Sequence, residues 1–139
     1  MIVADTNVLS EILRDDPDES VAGWFERCDQ ADFYTTAVTL AEMLAGLSTM
    51  AAGSRRHGLA DQVARLFGGV LDGRVLPFDS ASAVEYAEVI ATRRRIGRPI
   101  SPLDAQIAAI ARVHGASVAT RNGRDFEGAG VTVVDPWGA

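Results

Sequence analysis

The chain predicts an α/β protein: a parallel sheet with helices on both faces, in a single domain over residues 1–139. Three observations predict it. Ile2-Val3-Ala4 is an apolar run without polar alternation, as a strand buried on both faces requires, and Ala116-Ser117-Val118-Ala119 reads as a second buried strand. The segments between strands carry apolar residues at helical spacing, so strands and helices alternate along the chain. Polar residues gather where the strands stop, at Asp5-Thr6-Asn7 and at Thr120-Arg121-Asn122, and open α/β sheets bind ligands at the carboxyl ends of their strands.

The elements follow in order. After Ile2–Ala4, the spacing of Val8, Leu9, Ile12 and Leu13 suits a helix. Asp5 stands between the two, either as a site residue or as the cap of that helix. Pro17 is expected at or near the start of a second helix, with Val21, Trp24, Phe25 and Cys28 as its apolar stripe. Phe33-Tyr34-Thr35-Thr36 reads as a short strand. Thr39 then opens a helix with Leu40, Met43, Leu44 and Leu47, and Glu42 sits at capping-box spacing from it. Ser54 to Val70 reads as a helix with Leu59, Val63, Leu66 and Phe67 inward. Val75-Leu76-Pro77-Phe78 is an edge strand, because Pro77 lacks a ladder donor. Asp79 or Ser80 caps a helix to about Ile96, whose expected inward face is Val84, Ala87 and Ile90 or Ala91. Ser101 caps the next helix, Pro102 is its first residue, Asp104 lies in its first turn, and Gly115 stops it. Val131–Val134 is the last strand.

Composition narrows the chemistry. All thirteen basic residues are arginines, which removes the Walker A lysine and Schiff-base catalysis. One cysteine, Cys28, excludes an internal disulfide or a multi-thiolate zinc site. His57 and His114 lie apart, with no ligand pattern around them. The formal charge is −6 and the pI about 4.8, which argues against bulk attraction to nucleic acid but not against an enzyme that acts on it. Eight acids face two arginines between Glu11 and Asp32, the pattern of a solvated surface. No apolar run reaches membrane length and no signal-type segment is present, so a cytoplasmic location is expected. Arg93, Arg94, Arg95 and Arg98 form the one basic cluster, as a solvated helix end or as phosphate contacts.

Four carboxylates stand at comparable places. Asp5 and Asp125 follow strands, and Glu42 and Asp104 begin helices. Strand ends and succeeding helix starts share one rim in a right-handed α/β fold. Unpaired carboxylates about 4 Å apart repel by roughly 4 kcal/mol at an effective dielectric near 20. A hard cation held by oxygen ligands, Mg²⁺ or Mn²⁺, offsets that repulsion and suits phosphodiester hydrolysis.

With these residues in view, the chain resembles a PIN domain, and within that group a VapC-type toxin ribonuclease. The resemblance rests on Ile2–Val8, Thr39-Leu40-Ala41-Glu42-Met43-Leu44-Ala45-Gly46-Leu47, Ser101-Pro102-Leu103-Asp104-Ala105-Gln106-Ile107-Ala108-Ala109 and Thr120–Phe126, in that order across nearly the whole chain. It implies a five-stranded parallel sheet, a Mg²⁺- or Mn²⁺-dependent endoribonuclease, a homodimer, and a cognate antitoxin that blocks the site. It matches Asp5, Glu42, Asp104 and Asp125 to a catalytic, metal-holding acidic quartet, and Thr6, Asn7, Thr120 and Asn122 to polar residues that support it. Arg121 and Arg124 are phosphate-contact candidates from their charge beside the site. A haloacid dehalogenase-like phosphatase needs a second Asp where Asn7 stands, and a lysine; a receiver domain lacks its lysine too. The remaining alternative is a non-catalytic interaction protein on the same fold.

Overall fold

In a computed structural model that describes residues 1–138, five parallel strands form one sheet in the order β3-β2-β1-β4-β5. They are β1 (Ile2–Ala4), β2 (Phe33–Thr36), β3 (Val75–Leu76), β4 (Ser117–Ala119) and β5 (Val133–Val134). Six α-helices connect them: α1 (Thr6–Ile12), α2 (Glu19–Arg27), α3 (Ala37–Thr49), α4 (Ser54–Gly68), α5 (Ser80–Arg95) and α6 (Pro102–His114). The expected fold class is present, with β3 at the edge as expected, although the strand stops at Leu76 and leaves Pro77 and Phe78 outside it.

The chain winds outward from β1 through β2 to β3, then crosses back to β4 and β5. Crossovers of one hand place helices on opposite faces when the direction of winding reverses. The two apolar clusters reflect this. Val3 and Val118 face Val89 of α5 and Ile107 and Ile110 of α6. Ala4 and Ala119 face Val8 and Leu9 of α1, Trp24 of α2 and Leu66 of α4. Successive strand residues therefore point to opposite cores, which is why β1 is apolar throughout and Val118 and Ala119 of β4 are both buried. The reversal falls between β1 and β4, whose pairing runs Ile2–Ser117, Val3–Val118 and Ala4–Ala119.

Most helix limits match their sequence signals. Asp79 caps α5; Ser101 caps α6, with Pro102 in its first turn; and Gly115 ends α6 in the left-handed region at φ 61°. Pro17 precedes the actual N-cap of α2, Asp18, by one residue.

Two expectations are corrected. The cap of α3 is Thr36, not Thr39: the Thr36 hydroxyl accepts from the Thr39 amide at 3.1 Å. No capping box forms, and Glu42 lies a full turn past the helix start. The inward face of α5 is Ser82, Val89 and Arg93, with Ile90 packed against the same core as expected, whereas Val84 and Ala87 are exposed. Arg93 stands four residues after Val89 on the same stripe, so a charged residue occupies a position that the periodicity reserves for the core.

The Thr36 cap is testable. Thr36→Val keeps the shape but leaves a buried amide unsatisfied, and should cost about 1–2 kcal/mol in urea denaturation. Glu42→Met, which would break a capping box, should cost less than Thr36→Val, because it gives up only the half-buried bond to the Thr6 hydroxyl. The reverse ranking would restore Thr39 and Glu42 as the cap.

Candidate active site

Asp5 is the innermost group of the rim. It follows β1 beside the strand-order reversal, and its backbone amide still pairs with the Ala119 carbonyl of β4 at 3.1 Å. Its side chain caps α1 by accepting from the Val8 amide at 3.1 Å. The cap reading and the site reading thus both hold for one carboxylate. Asp5 is only 7% exposed. Burial raises its pKa above the ordinary 3.8, opposed by hydrogen bonds from the Thr120 hydroxyl and the Val8 and Asn7 amides, and reinforced by the charge of Asp104.

The other acids are arranged around it. Asp104, half-buried in the first turn of α6, also has a raised pKa. Burial is the main cause, the Ser101 hydroxyl and the Arg93 charge oppose it, and the Asp125 charge adds to it. Asp125 is exposed, in a 3₁₀ turn over Gly123–Phe126. Glu42 is half-buried on α3, and its Oε1 accepts from the Thr6 hydroxyl at 3.1 Å. The order is therefore Glu42 to Thr6, then Asp5, Asp104 and Asp125. None of the four carboxylates has a salt-bridge partner among the described residues.

The supporting residues divide. Thr120 is fully buried; it donates to Asp5 and accepts from the Asn122 amide at 3.0 Å. The Asn122 carbonyl accepts from the Asp125 amide at 3.0 Å, so this short turn links two acids. Thr6 holds Glu42, while the Asn7 side chain is exposed. Thr35 was not anticipated. Fully buried, it donates its hydroxyl to the Ala4 carbonyl at 2.8 Å and so fixes the peptide that leads into Asp5. A threonine pair closing an otherwise aromatic strand was the available signal.

The arginines split further than expected. Arg121 is exposed, with its guanidinium carbon 5.1 Å from the Trp137 ring centroid, a cation–π contact that no sequence pattern announced. Arg124 is exposed. Arg94 and Arg95 are exposed at the end of α5, and Arg98 pairs with Glu127 at 2.6 Å. Arg93 is 4% exposed and bonded to backbone carbonyls, so it is not free to contact phosphate as the sequence suggested.

Among the described residues no three Asp, Glu, His or Cys side chains together form a ready metal cage. The donor set still fits a hard divalent ion. It is all oxygen, it is short of positive charge, and the charge of Asp104 raises the proton affinity of Asp5 as that of Asp125 raises the proton affinity of Asp104. Mg²⁺ keeps several waters and needs only one or two carboxylates from a protein. A groove of about 1000 Å³ opens from Thr6 and Glu42 between α1, α3 and α4, lined by Leu13, Met43, Leu47 and Leu59.

A five-stranded parallel sheet with Asp5 at its strand-order reversal defines an open-sheet α/β class, and comparison with known proteins places the chain within it. The PIN domain family matches residues 2–131. The VapC ribonuclease Y4jK of Sinorhizobium fredii is 40% identical over 137 residues, covering 99% of this chain and 98% of that protein. Toxin FitB of Neisseria gonorrhoeae is 36% identical over 137 residues, covering 99% of each. The crystal structure of FitAcB from Neisseria gonorrhoeae superimposes with a TM-score of 0.93 at 36% identity, covering 100% of both chains. More distant chains of the same fold come from toxin–antitoxin complexes. The chain belongs to the PIN domain family, and within it to the VapC-type group.

The raised Asp5 pKa has a consequence for stability. Between 3.8 and its folded value the native state binds more protons than the unfolded chain, so stability falls as pH rises through that window. Asp5→Asn keeps the cap and removes the buried charge. In metal-free buffer at pH 7 this variant should unfold at a higher temperature than wild type. The gap should close as pH falls towards 3.8. A gap that is absent at pH 7, or that widens on acidification, would contradict burial as the cause.

Proposed function

We propose that the protein is a metal-dependent endoribonuclease and the toxin of a toxin–antitoxin pair. The observation that carries this reading is Asp5: a buried carboxylate beside a second one, with no cation among the described residues paired to either. Family membership and the VapC-named relatives support the same reaction class. Asp5 and Asp104 would hold Mg²⁺ or Mn²⁺, with Asp125 and Glu42 completing the set through water. The ion supplies positive charge against the phosphate and lowers the pKa of nearby water.

The chain's own groups do the rest. Thr120, the Val8 amide and Ser101 hold the two inner carboxylates in place. A rim carboxylate, with Asp125 the most accessible, accepts the proton of the attacking water. The water oxygen bonds to phosphorus as the bond to the leaving oxygen breaks. Arg121 and Arg124 contact flanking phosphates, and the Trp137 face holds the Arg121 guanidinium while leaving its N–H edge free. Arg94, Arg95 and Arg98 extend that track. A chain of net charge −6 needs such local cations, because its mean field repels RNA.

The antitoxin takes the groove that opens from Thr6 and Glu42, where it blocks access to the acids. A second copy of the chain covers exposed Val84 and Ile96 of the α5 region and Leu44 of α3.

The purified, partner-free protein should cut total RNA into discrete fragments with Mg²⁺ or Mn²⁺ and not with EDTA. Asp5→Asn, purified identically, should lose at least about 100-fold in rate. Metal-independent fragments, or equal cutting by the variant, would point to a contaminant. A folded, metal-binding wild type that cuts nothing would favour an interaction protein. Separately, Arg121→Ala should raise KM more than it lowers kcat and reduce the salt dependence of RNA binding by about one phosphate contact. A purely catalytic loss at unchanged KM would remove Arg121 from the substrate path.

A further inference from the structure

We propose that Arg93 is a positioning residue of the acidic site, one side chain that fixes both the loop leading into Asp104 and the turn carrying Asp125. It lies on α5, and its guanidinium is almost wholly enclosed, at 4% exposure. Nη1 donates to the carbonyls of Glu127 at 2.6 Å and Arg124 at 3.3 Å, which bracket Asp125. Nε donates to the Arg98 carbonyl at 2.5 Å, and Nη2 to that of Pro99 at 3.4 Å. Those two residues lead into Ser101, whose hydroxyl caps α6 and holds Asp104. No carboxylate pairs with Arg93 among the described residues, so its donors go to the backbone of two separate segments.

The geometry asks for arginine in particular. A guanidinium presents five donors in a rigid fork, and here the fork spans carbonyls from residues 98–99 and 124–127. A lysine ammonium carries the same charge at a point and cannot bridge both.

Two roles for Arg93 have opposite signs. As a charge alone it repels a divalent cation, so its removal would tighten metal binding. As a clamp it pre-sets the carboxylate separation, so its removal weakens binding. Outer-shell groups of this kind are worth about 10- to 100-fold in metal affinity.

The inference rests on the metal-dependent reading above, and its test does not rely on RNA cleavage. Mn²⁺ is titrated by calorimetry into the partner-free wild type, Arg93→Met, Arg93→Lys and Arg112→Met. Arg112 is a comparable internal tether, bonded to Glu85 at 2.7 Å and to the Ala129 carbonyl at 3.2 Å, but it lies near the carboxyl end of α6, away from the acidic rim. Both Arg93 variants should lose about 10-fold or more in affinity. Arg112→Met should lose stability but stay within about twofold of wild-type affinity. Amide exchange in Arg93→Lys should quicken at residues 98–101 and 124–128 and nowhere else. Affinity unchanged or tighter in Arg93→Lys overturns the proposal, as does failure of that variant to fold. A wild type that binds Mn²⁺ and depends on Arg93, yet never cuts RNA, sinks the nuclease reading and leaves the clamp standing. A wild type that binds no Mn²⁺ overturns both.

Discussion

The molecule is built around one awkward requirement, that a carboxylate sit almost out of reach of water at the end of the central strand. An ionised Asp in that position is tolerated only if donors meet it, and three do: the Val8 and Asn7 amides and the Thr120 hydroxyl. Each comes from an element that the sheet locks in place. The Asn7 and Val8 amides belong to α1, which starts where β1 stops. Thr120 follows β4, which pairs with β1 through the last residue of both strands. Thr35 reaches across from β2 to pin the Ala4 carbonyl. The apolar clusters on either face exist to keep these strand ends in register.

That placement sets stability against function. The donors offset only part of the desolvation, so Asp5 remains harder to ionise than an exposed acid, and its neighbour Asp104 adds to the difficulty. The site holds unspent electrostatic free energy that a bound cation would relieve. Sites that bind a charged species tightly are commonly ones that the fold leaves unfavourable without it.

Much of this was legible in the sequence because the residues concerned obey local rules. Apolar runs ending in Asp5 and Thr120 announced buried strands and the rim beyond them. Ser101-Pro102 and Gly115 bounded α6 because capping chemistry is local. Three features were not legible for related reasons. Thr36 and Thr39 are both competent caps for α3, and only the end of β2 decides between them. Arg93 reads as surface because arginine usually is, although its spacing from Val89 put it inward; its partners lie 5 to 34 residues away. Trp137 meets Arg121 only because β5 lies beside β4, a pairing that neither residue encodes.

The absence of lysine gains a physical sense here. Buried Arg93 holds backbone carbonyls and half-buried Arg112 spans two partners, and a forked donor suits both tasks. Arg93 adds a second effect, because it places a fixed positive charge near Asp104 without forming an ion pair that would occupy the carboxylate. A direct salt bridge would neutralise the acid and compete with any metal for its oxygens. Routing the guanidinium to the backbone avoids that competition: the acids are steadied by loop geometry, and their oxygens remain available. An acidic rim can therefore be rigid before its ligand arrives without being satisfied, which is the condition a metal-dependent active site has to meet.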